Sequence, residues 1–204
     1  LVWSVFAGPA VWGLLQLPGA AWCAALGYHL GCGVAARGLE ARLGPRPPAR
    51  RLALLGLAAA ALVAAAGLAV CQLIEGAGEL VRAWARWGFA PPRADLAFLA
   101  YYVVVNPWLE ELYWRGALLG GGRARLGPGA ARALATLGFL PHHLVVLGLG
   151  FGWDAALGLA VPILAAAAAW VAWCERTGSI WDAAATHAGA DLGLAIVYLM
   201  RIRP

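Results

Sequence analysis

From Leu52 to Ile74 the chain runs 23 residues without a charged side chain. At a rise of ~1.5 Å per helical residue, that run covers the ~30 Å of a hydrocarbon layer. No other feature restricts the fold so sharply. In lipid every backbone amide and carbonyl has to be satisfied within the protein, which leaves helices and closed barrels. The runs "LAAAALVAAAGLAV" and "LGLAVPILAAAAAWVAW" lack the ~10-residue alternating segments of barrel strands. The pattern therefore predicts an all-α fold, a polytopic membrane bundle of about six transmembrane helices.

The remaining spans are read at Leu96 to Gly122, Ala133 to Gly150, Ala155 to Trp173 and Ser179 to Met200. The uncharged region before Arg37 is broken by Pro9, Pro18 and several glycines. It reads as one span, Trp12 to Ala36, after a short apolar lead taken as a truncated N-terminal helix. No cationic stretch precedes that lead, which argues against a secretory signal peptide, and a chain opening on Leu1 points to a start further upstream. Residues 1–204 are expected to form a single integral-membrane domain with its catalytic core at about 96–200.

Apolar residues make up 63% of the chain and charged residues 12%, the composition of a membrane protein. Its many small residues let helix backbones approach closely. A net charge of +5 would suggest nucleic acid in a soluble protein. Here the arginines cluster between apolar runs, at Arg37 to Arg51 and Arg123 to Arg132, where they report topology. Placing both clusters in the cytoplasm puts the loop Glu75 to Asp95, whose charges cancel, outside; Arg201 and Arg203 oppose that orientation. The "VRAWARWGFAPPR" passage mixes tryptophan and arginine as an interfacial belt does, so lipid is the expected partner and nucleic acid is not. Cysteines 23, 32, 71 and 174 form no CxxC pair and behave as small apolar residues. All fifteen cations are arginine, which with abundant alanine and glycine suggests a GC-rich genome and a bacterial cytoplasmic membrane.

Against this background "NPWLEELYWRG", residues 106–116, needs an explanation, because an ionisable residue at the centre of a span costs at least ~2.5 kcal/mol. In a helix Glu111 and Arg115 share a face and can form a buried ion pair. Glu110 points about 100° away and is left without a structural role. Two further segments supply polar groups: "GFLPHHLV" carries His142 and His143, and "THAGADLG" carries His187 and Asp191, four apart and so on one face. Counting ~1.5 Å per residue from the presumed cytoplasmic ends places Glu110 and Asp191 roughly 18 Å deep, His143 roughly 15 Å and His187 roughly 12 Å. One polar cavity can hold all four, with capacity for acid–base chemistry on water or for binding a metal. Pro141 lacks an amide and is expected to kink the helix beside His142, whose role stays ambiguous. His29 reads as a helix-contact residue.

EExxxR in "EELYWRG", FxxxH in "FLPHH" and HxxxD in "HAGAD" follow one another on successive hydrophobic segments. In this the chain resembles the CAAX-prenyl-protease and bacteriocin-processing family of intramembrane endopeptidases, and "TGSIWDAAATHAGAD" is similar to the family's lead-in to its last catalytic helix. The resemblance covers about Leu96 to the C-terminus. It implies a helical core around a cavity open to the membrane, and hydrolysis of a peptide bond in a membrane-associated protein or peptide. Carried over, Glu110 with His143 would activate water, and His187 with Asp191 would face the scissile carbonyl. Glu111, Arg115 and Phe139 would be structural support. Asp191 departs from the commoner asparagine and donates a hydrogen bond only when protonated; orienting His187 or ligating a metal are its other roles. The family includes members described as metalloproteases and others described as metal-independent. No cofactor is therefore certain, and zinc is a candidate with Glu110, His143, His187 and Asp191 as ligands. A proton-coupled transporter and a non-catalytic partner-binding protein are the alternative readings.

Overall fold

The structure, a computed structural model, describes residues 8, 10–11, 21–37, 39–73 and 92–201. Within them the chain folds as α1 (Ala21–Ala35), α2 (Ala49–Leu73), α3 (Pro92–Val104), α4 (Asn106–Glu111), a π-helical segment (Leu112–Gly121), α5 (Arg123–Leu126), α6 (Pro128–Leu137), α7 (Leu140–Phe151), α8 (Trp153–Thr177) and α9 (Trp181–Arg201). No strand occurs among the described residues. Among the described residues four stretches are long and apolar enough to cross a membrane: Ala49–Cys71, Pro128–Leu149, Trp153–Thr177 and Trp181–Met200. Leu62 on α2 and Val161 on α8 are more than two-thirds exposed, as side chains facing lipid would be. The fold is that of a helical membrane bundle.

The expected span Leu96 to Gly122 is a broken rod. It divides at Val105 and changes hydrogen-bond register after Glu111, and the Gly122 amide donates to the Ala117 carbonyl, five residues back. The expected span Ala133 to Gly150 also divides, at Gly138 and Phe139, into α6 and α7. Pro141 consequently lies in the first turn of α7, where its missing amide leaves no helical bond unmade, and it starts a helix where a kink was expected. Most of the loop Glu75 to Asp95 and part of Trp12 to Ala36 lie outside the described residues; residues 92–95 are helical.

Small residues bring α2 and α9 together in parallel. A Cβ on Gly189 would collide with the Gly56 carbonyl oxygen, and one on Gly193 would stand 2.7 Å from that of Ala60. Arg51 also pairs with Asp182 at 2.5 Å. Both helices thus start at the same end of the bundle. The segment 39–48 closes that end: the Arg42 amide donates to the Gly116 carbonyl at 3.0 Å, and the Ile180 amide to that of Leu43 at 3.1 Å. Gly178, at φ 65, ends α8 in the left-handed conformation that glycine adopts at low cost. Arg123 and Arg132 both reach Glu175 near that turn. The two arginine clusters therefore share one end. The four cysteines are free.

Candidate active site

The core of the bundle buries Glu110, Glu111, Arg115, His142, His187 and Asp191, each at 6% exposure or less. Glu110 and Glu111, at the end of α4, diverge as helix geometry requires. Glu111 Oε1 accepts from Arg115 Nη1 at 2.9 Å and lies 3.0 Å from His187 Nδ1. The Arg115 guanidinium is further held by the Ala167 carbonyl at 3.4 Å and lies against the Phe139 and Trp170 rings. The ion pair read from the i, i+4 spacing is present, and it also anchors His187.

Glu110 turns the other way. Its Oε1 lies 3.0 Å from His142 Nε2, its Oε2 is 3.6 Å from His187 Nε2, and Oε2 is buried without a hydrogen-bond partner. The direct partner from α7 is thus His142, whose ring stacks on Tyr28 of α1 at 4.5 Å between centroids. His143, one residue on, directs Nδ1 to the Phe139 carbonyl at 2.9 Å. Because a carbonyl only accepts, a neutral His143 carries its proton on Nδ1 and keeps a lone pair on Nε2. Phe139 supports this turn from within, 4.4 Å from the His143 ring and 5.8 Å from His187.

Asp191, one turn beyond His187, places Oδ1 3.9 Å from His187 Nε2. Its Oδ2 accepts from Asn106 Nδ2 at 3.3 Å, and Tyr102 lies close enough to interact with it. His29 contacts Tyr101 at 2.5 Å, the helix contact expected of it. Asn106, Tyr102 and Tyr28 were missed in the sequence. Asn106 had a signal, since it precedes Glu110 by four residues and so shares its face; the tyrosines had none beyond lying in apolar segments.

A metal site has to be judged on the donors present. Donor atoms of Glu110, His142 and His143 all lie within 4.8 Å of one another, and a carboxylate with two imidazoles is a known catalytic zinc set. The unpartnered Glu110 Oε2 and His142 Nδ1 suit a cation. Charge suits it too: among the described residues Glu110, Glu111 and Asp191 are buried beside the histidines with Arg115 as the one buried guanidinium, while the fourth buried carboxyl, Asp182, is paired with Arg51. The residues fit a divalent ion. His187 and Asp191, the other sequence-read ligands, fall outside this group.

Residues 92–193, half the chain, match the family described as Type II CAAX prenyl endopeptidase Rce1-like. No curated protein and no solved structure matches the chain. The matched region runs from α3 into α9 and contains every residue of the buried constellation except Tyr28. The chain belongs to the Type II CAAX prenyl endopeptidase Rce1-like family.

Proposed function

We propose that this integral membrane protein is a multi-pass intramembrane endopeptidase, a single unit with its catalytic core at about 96–200, that hydrolyses a peptide bond of a membrane-associated protein or peptide with water activated by Glu110. Membership of a protease family carries the reaction class. The observation behind the mechanism is the buried Glu110, held through Oε1 by His142 at 3.0 Å with Oε2 free of hydrogen bonds.

A carboxylate fixed through one oxygen presents the other to a water molecule. Glu110 would take the water's proton as the new C–O bond forms, and return it to the departing amine as the C–N bond breaks. His143, with its Nε2 lone pair, would orient the same water from α7. His187 gives its Nδ1–H to Glu111, so it would donate from Nε2 to the carbonyl oxygen where charge develops in its doubly protonated form; removing one such donor elsewhere costs ~3 kcal/mol. Asp191 and Asn106 complete that side, and the Asn106 amide brings donors that a carboxylate lacks. Glu110, His142 and His143 are also the residues that would hold a divalent ion such as zinc, in which mode Glu110 would serve as a ligand in place of acting as the base, and the ion when bound supplies Lewis acidity at the water and carbonyl. A bacterial cytoplasmic membrane is the proposed location.

The test is substrate-blind. Membranes containing the wild-type chain or Glu110→Gln at matched levels are compared by mass spectrometry of peptide termini. New termini present with wild type and absent with Glu110→Gln are the expected result. Identical termini in the two samples would exclude hydrolysis by Glu110.

A further inference from the structure

At the arginine-rich end, apart from the Glu110 site, a cavity of about 180 Å³ opens between segment 39–48, the π-helical segment and the turn after α8. Arg42, Arg115 and Arg123 line it, with Glu175 as the one carboxylate in its wall among the described residues. Glu175 is taken up by Arg123 and by Arg132, and Glu111 by Arg115. The cavity and its bordering pairs thus set four guanidiniums against two carboxylates. Glu40, on the same segment, is exposed and does not line the cavity.

Two further observations point to a ligand. Arg115 is 1% exposed, yet its Nε is buried with no hydrogen-bond partner, and the Nε of Arg123 is equally orphaned. Buried donors left unmade cost free energy that a bound acceptor recovers. Arg42 has no ion-pair partner among the described residues, and its stem passes so close to Gly120 that a Cβ there would stand 3.1 Å from the Arg42 Cβ. Guanidinium forks match the oxygens of a phosphate, and several converging on one cavity favour that group over a single-point anion.

We propose that this cavity binds a phosphate group through Arg42, Arg115 and Arg123. Its place at the helix ends, where arginine clusters meet an interface, fits a lipid headgroup, and free phosphate offers the same chemistry. The site depends on no assumption about catalysis.

The test is thermal unfolding of the full chain in uncharged detergent, with inorganic phosphate titrated against chloride at equal ionic strength to remove general screening. The expected result is a saturable rise in Tm with phosphate, half-saturating at tenfold or more higher concentration in Arg42→Gln and unchanged in Arg50→Gln, an exposed arginine outside the cavity. Arg42→Lys, which keeps the charge and loses the fork, is expected to fall between. The second arm repeats the titration in phosphatidylcholine bilayers with and without phosphatidic acid. A rise with phosphatidic acid that needs Arg42 and abolishes the response to free phosphate assigns the site to a headgroup; a surviving response assigns it to the soluble anion. No response beyond chloride in either carrier, or an equal response in Arg42→Gln, overturns the proposal.

Discussion

His142 Nε2 stands 3.0 Å from Glu110 Oε1, while the opposite nitrogen of the same ring, Nδ1, is buried without a partner. The pair fixes the carboxylate by one oxygen and the ring is itself fixed by stacking on Tyr28. His142→Ala should therefore lower the cleavage rate by ~10²-fold or more, the usual range for lost acid–base positioning. His142→Gln, which retains an N–H donor, should keep part of that rate. The check is the rate of new-terminus formation at matched protein level, and wild-type turnover in His142→Ala would remove the residue from the mechanism.

The pair Glu111–Arg115 makes a different kind of prediction. Both side chains are fully buried, and removing one partner of such a pair typically costs ~3–5 kcal/mol because the other charge is left uncompensated. Arg115→Ala should sharply reduce folded yield and Tm. Glu110→Gln, an isosteric change at an oxygen with no hydrogen bond, should leave both close to wild type while abolishing cleavage. Equal loss of folded protein in the two variants would contradict this division between support and chemistry.

The reason one pair was legible in the sequence and another was not is geometric. Four residues along a helix fix a shared face, so Glu111 with Arg115 followed from spacing alone. The depth count likewise brought Glu110, His143, His187 and Asp191 to one layer: His187 lies 3.6 Å from Glu110 and 3.9 Å from Asp191, and donor atoms of His143 and Glu110 lie within 4.8 Å of one another. Choosing between His142 and His143 required the rotation of α7. That rotation is set by a turn at Gly138 and Phe139 and by the Phe139 carbonyl that captures His143, neither of which hydropathy encodes. The π-helical register after Glu111 was equally hidden, because an apolar segment in a membrane carries little amphipathic phase. Small residues on α2 and α9 signalled close approach without naming the partner helix.

That approach can be tested at two glycines. Gly189 faces the Gly56 carbonyl with no room for a methyl group, whereas a Cβ on Gly158, on α8, would meet nothing within 4 Å. Gly189→Ala should destabilise the bundle by about 1–3 kcal/mol through overpacking. Gly158→Ala should be neutral or slightly stabilising, since alanine is favoured over glycine in a helix interior by roughly 0.5–1 kcal/mol. Thermal unfolding in detergent compares them directly. A Gly189→Ala protein as stable as Gly158→Ala would mean that α2 and α9 do not meet at these carbonyls.

Asp191 and Asn106 carry the last prediction, because together they place a carboxyl and an amide at the side of His187 where the carbonyl oxygen is proposed to lie. Asn106 Nδ2 is 3.3 Å from Asp191 Oδ2, so a carboxamide at position 191 can accept the same bond through its oxygen and offer its own N–H₂ to the substrate. Asp191→Asn should therefore retain cleavage. Asp191→Leu, which removes both functions at similar volume, should lose ~10²–10³ in turnover if the position contributes one oxyanion contact, and Asn106→Leu should fall in the same direction by leaving Asp191 with one fewer donor. The distinguishing readout is kcat against KM: a transition-state contact lowers kcat with KM little changed, whereas a packing defect lowers folded yield and spares the kcat of what folds. Loss of cleavage in Asp191→Asn with normal yield would instead assign Asp191 a role that needs its carboxylate charge.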